Sequence, residues 1–145
     1  MAGYSKTPLI KKLGIRDGYK VKFINEPNYY LDLLDTVNNH ILFTFNEDDL
    51  DFVHIFIITI DELKNKIEYL KKLIKKSGMI WVSWPARSRP FGRAGVPKQA
   101  SEIFTDVTEN KIRDLALSSG LVDVKVCAVD NTWSGLKLVY RLKDR

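Results

Sequence analysis

Two uninterrupted apolar runs constrain this chain more than any other feature. Residues 52–58, FVHIFII, and 79–84, MIWVSW, have the length of strands and are rich in β-branched and aromatic side chains, without polar alternation. A strand open to solvent on one side alternates; one that does not is covered on both faces. Both segments are therefore expected to be central strands, the second stopped by Pro85. Between them Thr59 and Glu62 have the T-x-x-E spacing of a helix start, in which hydroxyl and carboxylate reciprocally satisfy free amides. A helix over 60–76 follows, with Leu63, Ile67, Leu70 and Ile74 on one side, and Gly78 stands where a left-handed terminating residue is expected.

The flanking sequence continues the alternation of strand and helix. Residues 20–25 predict a strand half buried at its start, Val21 and Phe23 alternating with Lys20 and Lys22. Pro27 suits a first helical turn, and Tyr30, Leu33, Leu34 and Val37 recur at helical spacing before a strand over 41–45. Asp106 and Glu109 repeat the capping-box spacing ahead of a helix carrying Ile112, Leu115 and Ala116, ended by Gly120. Two alternating strands close the chain, one with Val122, Val124, Val126 and Ala128 on a side, the other with Leu136, Leu138, Tyr140 and Leu142. Their short link makes them antiparallel neighbours. The order β-α-β-β-α-β-α-β-β specifies an α/β fold, a Rossmann-like three-layer sandwich whose mostly parallel sheet ends in an antiparallel hairpin. The tightest connection is 46–51, too short for a crossover helix, although fully extended it spans on the order of 20 Å.

At 145 residues the chain is expected to form a single domain over 1–145. Uncharged runs such as 77–86 reach only about half of the ~20 residues needed to cross a bilayer, so no membrane partner is expected. One cysteine, Cys127, and no apolar N-terminal stretch point to the cytoplasm. The formal charge is +5, and the four cations Arg87, Arg89, Arg93 and Lys98 stand in one stretch without an anion. This Pro, Gly and Arg-rich segment, 86–104, reads as a flexible basic loop. Arginines around Phe91 resemble a nucleic-acid contact, but four charges without an ordered surface give little specificity, so a solvated insertion is favoured. The lysines between 64 and 76 form the polar side of their helix, and the acidic residues from Glu47 to Asp51 a loop.

Glycine is absent between Tyr19 and Ser77. A dinucleotide site needs glycine directly after the first strand, where backbone must approach a pyrophosphate, and here the turn reads Asn25, Glu26, Pro27, Asn28. Proline offers no N–H and Glu26 repels a phosphate. Nucleophilic catalysis is not expected either: counted along neighbouring parallel strands, His54 and Ser83 are on the order of 13 Å apart, against the ~3 Å of a general-base contact. Cys127 has no base nearby in sequence and reads as an inert thiol, and no metal-ligand spacing is present. The remaining candidates lie where strands end, the usual ligand position in open α/β sheets. These are Asn25, Glu26 and Glu47, then Ser83, Trp84 and Pro85, and finally Asp130, Trp133 and Ser134. Trp84 and Trp133 either floor a pocket, bury in a partner, or pack on each other.

The opening MAGYSKTPLIKKLGI, the block GMIWVSWP, the helix entry TDVTENKIRDLAL and the ending GLVDVKVCAVDNTWSGLKLVYR together resemble an uncharacterised bacterial family known as a domain of unknown function. Against that pattern, 87–101 looks like an insertion. The family in turn resembles a shortened class I S-adenosylmethionine methyltransferase, whose sheet also ends in an antiparallel hairpin and whose first strand follows a lead-in like that of residues 12–20. Such enzymes place a glycine-rich turn after the first strand and an acid after the second; here the turn is NEPN, and Glu47 or Asp48 stands in for the acid. The expectation is thus a non-catalytic binding protein with a degenerate methyltransferase-like fold, without cofactor, recognising a protein or small ligand. The second reading is an S-adenosylmethionine-dependent methyltransferase with an atypical cofactor loop.

Overall fold

The computed structural model describes residues 7–86 and 104–145. The expected basic loop therefore lies outside the described residues except at its two ends. In chain order the elements are α1 (Leu9–Leu13), β1 (Lys20–Ile24), α2 (Tyr30–Leu34), α3 (Thr36–Asn39), β2 (Thr44–Phe45), β3 (Leu50–Phe56), α4 (Ile60–Leu73), β4 (Ile74–Pro85), α5 (Glu109–Ser118), β5 (Leu121–Ala128) and β6 (Trp133–Tyr140), with a 3₁₀ turn at Leu142–Asp144. They form one six-stranded sheet in the order β2-β1-β3-β4-β6-β5. The first four strands are parallel, and β6 runs antiparallel to both β4 and β5. This is the Rossmann-like sandwich that the alternating pattern specifies.

The doubly covered runs sit at the centre, and period-two alternation sorts their side chains between two cores. On one face Phe52, Phe56 and Trp81 pack with Ile10 and Leu13 of α1 and Tyr30 and Leu34 of α2. On the other, Val53, Ile55, Ile80, Val82 and Trp84 pack with Leu63, Ile67 and Leu70 of α4 and Ile112 and Ala116 of α5. Trp81 Nε1 donates to the Leu13 carbonyl at 2.8 Å, fixing the end of α1 on the sheet. No helix among the described residues is long and apolar enough to cross a membrane.

Several local expectations change. The helix after β1 is two short pieces, because Asp35 adopts a left-handed φ of 50° between them, and Pro27 lies in the turn before α2, its carbonyl accepting from Tyr30 N. The second strand shrinks to two residues that pair only with Lys20 and Val21, so the link to β3 returns over a short distance and the parallel order survives without a crossover helix. Thr108, not Asp106, caps α5, while Asp106 accepts from Ile60 N at the start of α4. A register shift at Asp123/Lys125 breaks the even-numbered face of β5, leaving Val124 and Val126 half exposed.

Gly78 does not end α4 in a left-handed turn; it lies within β4, and a Cβ there would fall 2.8 Å from the Leu50 carbonyl oxygen and 3.0 Å from Ile74 Cβ. Close approach of β4 to β3 is what requires glycine there.

The centre also buries a polar chain. His54, fully enclosed, meets the Tyr30 hydroxyl with Nδ1 at 2.5 Å and the Ser83 hydroxyl with Nε2 at 2.7 Å. A neutral imidazole offers one donor and one acceptor, so one hydroxyl donates to the ring and the other accepts from it. Burial holds the ring neutral, pushing its pKa from 6.5 down to about 3, and lifts the Tyr30 phenol well above its ordinary value, with Glu26 and Cys127 adding to the rise.

Three outcomes follow from these contacts. Gly78→Ala destabilises by about 1–3 kcal/mol, since backbone must move to admit the methyl group, read as a lower urea midpoint at unchanged slope. Tyr30→Phe strands a ring nitrogen and costs about 1–3 kcal/mol in the same measurement. Because the folded His54 pKa is lower than the unfolded one, the unfolded chain takes up the extra proton below pH 6.5. The contribution is therefore complete above 6.5 and declines by about 1.4 kcal/mol per pH unit towards about 3. An imidazole resonance of His54 titrating with a midpoint above 5 would contradict this.

Candidate functional site

From β1 the chain passes to β2 on one side, while β3 pairs with β1 on the other. The crevice outside the carboxyl ends of β1 and β3 is where the connections diverge, the position at which open α/β sheets bind ligands. Its walls are the turn 25–29 after β1, residues 57–59 after β3, and the β5–β6 turn, which reaches the end of β4 through the Pro85–Trp133 pairing and Ala86 N on the Thr132 carbonyl.

The turn after β1 works without glycine. Asn25 takes φ 59°, in the left-handed region that asparagine tolerates better than most residues because its short side chain can bond locally. Asn25 and Glu26 are exposed, and the next residues close onto Pro27 before α2 begins. The helix α2 that follows has five residues and no side-chain cap.

Tyr29 joins this turn to the hairpin turn. Its phenol pKa is raised by partial burial first and by Asp130 beside it second, while contacts with Trp133 and Thr132 act the other way. Asp130 Oδ1 accepts from the backbone N–H groups of Thr132 and Trp133, both at 2.8 Å, which fixes the turn. Trp133 stands edge-on to Phe56, ring centroids 5.1 Å apart, and Phe56 stacks on His54 at 4.2 Å. The rim is thus tied to the buried chain below it.

Of the residues singled out in the sequence, Asn25, Glu26, Asp130 and Trp133 share this rim, with Ser134 half-buried beside it. Glu47 does not join them: Lys22 Nζ holds its carboxylate at 3.0 Å, three residues short of Asn25 along β1. Ser83, Trp84 and Pro85 are buried rather than presented to a ligand. Ser83 faces His54, and Trp84 enters the α4 side of the sheet while Trp133 packs on the α2 side, so the tryptophans do not stack on each other. The expected 13 Å between His54 and Ser83 is also corrected. Register pairs His54 with Trp81, only two residues from Ser83, and both side chains lie on one face. The pair is enclosed and its third member is a phenol, so it offers no nucleophile to a substrate. Cys127 is half-buried and burial raises its pKa against the pull of Lys125 and Lys12, in keeping with an inert thiol. Tyr29 and Tyr30 are not among the candidates that the sequence offers, and the paired tyrosines directly after NEPN are the one signal for them, whereas His54 and Ser83 enter there only as a nucleophilic pair set too far apart.

No described protein family matches the chain. No curated protein matches it either. Solved structures do. Magnesium protoporphyrin IX methyltransferase from Synechocystis PCC 6803, with S-adenosylmethionine bound, superposes at a TM-score of 0.57 and 12% identity over 92% of this chain and 74% of its own. A SAM-dependent methyltransferase from Aquifex aeolicus gives 0.53 and 13% over 90% and 86%. The pre-rRNA processing protein fibrillarin from Methanococcus jannaschii gives 0.50 and 12% over 97% and 76%. Identities this low establish likeness of fold. The solved chains sharing it nonetheless include methyltransferases with S-adenosylmethionine or S-adenosylhomocysteine bound, and this overturns the expectation of a non-catalytic, cofactor-free protein in favour of the second reading. The chain has a methyltransferase-like Rossmann fold.

Proposed function

We propose that the protein is an S-adenosylmethionine-dependent methyltransferase that holds its cofactor on the glycine-free turn after β1. The observation that carries this reading is the charge of the rim. Among the described residues, the loops 25–29, 57–59 and 129–134 contain the carboxylates Glu26 and Asp130 and no lysine, arginine or histidine, in a chain of net charge +5.

S-adenosylmethionine has a sulfonium, an α-ammonium and one carboxylate, a net positive charge, and no phosphate. The objections to a dinucleotide, a proline without N–H and a glutamate at the turn, are objections to phosphate, and for a cationic ligand the glutamate becomes favourable. Asn25 supports the fit by supplying the left-handed backbone that glycine commonly provides. Glu26 would draw the cationic part of the cofactor, and Tyr29 and Trp133 offer aromatic surface for its planar part. When bound, the cofactor supplies an electrophilic methyl group to a nucleophile of the substrate. Asp130 and the Tyr29 phenol beside it are the rim's polar groups on the hairpin side, and Ser134 and Pro85 back them.

Calorimetric titration with S-adenosylhomocysteine tests the proposal. One site per chain is expected, with an affinity reduced at least about tenfold, or 1.4 kcal/mol, in Glu26→Lys. A folded sample that gives neither heat nor a change in tryptophan fluorescence at millimolar S-adenosylhomocysteine overturns it.

A further inference from the structure

A cavity lies at the other end of β4, independent of the rim. It measures about 290 Å³ and is lined by Ser77, Gly78 and Met79 at the start of β4, Val124 of β5, Lys137 and Val139 of β6, and Arg145. Its two charged lining side chains, Lys137 and Arg145, are both cationic. Lys137 stands directly across the antiparallel ladder from Lys125, a like-charge pair that a sheet does not favour. A Cβ added to Gly14 would lie 4.0 Å from Lys137 Nζ, which places the ammonium beside the end of α1.

The surrounding charges offer no relief. Lys137 is half-buried, and its pKa is lowered by that burial first and by Lys125, Arg145 and Arg16 after it. Lys125 donates to the Lys12 carbonyl and Arg145 Nε to the Tyr140 carbonyl, and among the described residues nothing pairs with the outer nitrogens of that guanidinium. Among the described residues no carboxylate pairs with Lys137, Lys125, Arg16 or Arg145. Nearby Asp123 is held by Arg113 on the α5 side.

We propose that the cavity walled by Lys137 and Arg145 binds the phosphate group of a small phosphorylated ligand. An ammonium and a planar guanidinium fork are the two donors that recognise phosphate oxygens best. Met79, Val124 and Val139 give the cavity an apolar side for the body of such a molecule, and the volume suits a small ligand. A cation kept half-buried among other cations costs stability when the cavity is empty, the trade-off typical of binding sites.

Inorganic pyrophosphate is the probe, added at low ionic strength to the uniformly ¹⁵N-labelled protein. Shifts concentrated at Gly78, Val124, Lys137 and Arg145 are expected, with affinity falling at least about tenfold in both Lys137→Gln and Arg145→Gln and unchanged in Lys66→Gln on α4. Without pyrophosphate, Lys137→Gln should melt at a higher temperature than the parent. Absence of shifts at millimolar pyrophosphate, or shifts that persist in a folded Lys137→Gln variant, or equal loss in Lys66→Gln, overturns the proposal.

Discussion

The hydrogen-bonded chain from Tyr30 through His54 to Ser83 is the contact on which the arrangement of the rim rests. In most alternating α/β units a long crossover helix buries an apolar stripe and thereby fixes the loop that precedes it. Here that helix is replaced by α2 and α3, of five and four residues, too short to hold their position by propensity. What fixes the turn after β1 is the first buried residue beyond it. Tyr30 makes edge contacts with Phe23 at 4.8 Å and Phe56 at 5.2 Å, and its hydroxyl is tied to an imidazole that cannot turn to solvent. Tyr29, its neighbour, is carried to Asp130 and the hairpin turn as a result. Fold and rim are therefore one problem in packing.

Charge is sorted along the strands. Glu26 and Asp130 stand at the rim, while near the amino end of β4 the carboxylates Asp49 and Asp51 are taken up by Lys20 and Lys75 and the cations around Lys137 have no carboxylate partner among the described residues. Within a Debye length of about 8–10 Å the local field decides which ligands approach, and the two ends lie farther apart than that along a strand of twelve residues. A cationic ligand at one end and an anionic one at the other answer to the same rule.

The architecture was legible because burial on two faces leaves a compositional mark. Residues 52–58 and 79–84 had to be central once their lack of alternation was noticed, and the Thr59 and Glu62 box marked the start of α4 correctly. Register leaves no such mark. Nothing in the spacing of His54 and Ser83 says that Trp81 pairs with His54, and that pairing separates a 2.7 Å contact from a 13 Å gap. Gly78 misled for a related reason. A glycine after a helix is commonly a left-handed cap, but a glycine can equally be demanded by a carbonyl from another strand, and only the fold shows that Leu50 is there. The Val124 bulge and the reassignment of Asp106 to α4 are likewise products of partners distant in sequence.

The absence of glycine after β1 bears on two separate requirements that are easily merged. One is conformational: the chain must enter the left-handed region to turn, and Asn25, Asp35, His40 and Asp49 all do so without glycine. The other is steric and electrostatic: backbone must come within contact of a doubly charged pyrophosphate and present amides to it. Asn25 meets the first requirement, while Pro27 and Glu26 fail the second. The sequence therefore argues against phosphate at this turn and leaves a cationic adenosyl ligand compatible with it, so exclusion of one cofactor class by this loop cannot be extended to the other. Phosphate recognition belongs instead where Lys137 and Arg145 have no carboxylate partner among the described residues.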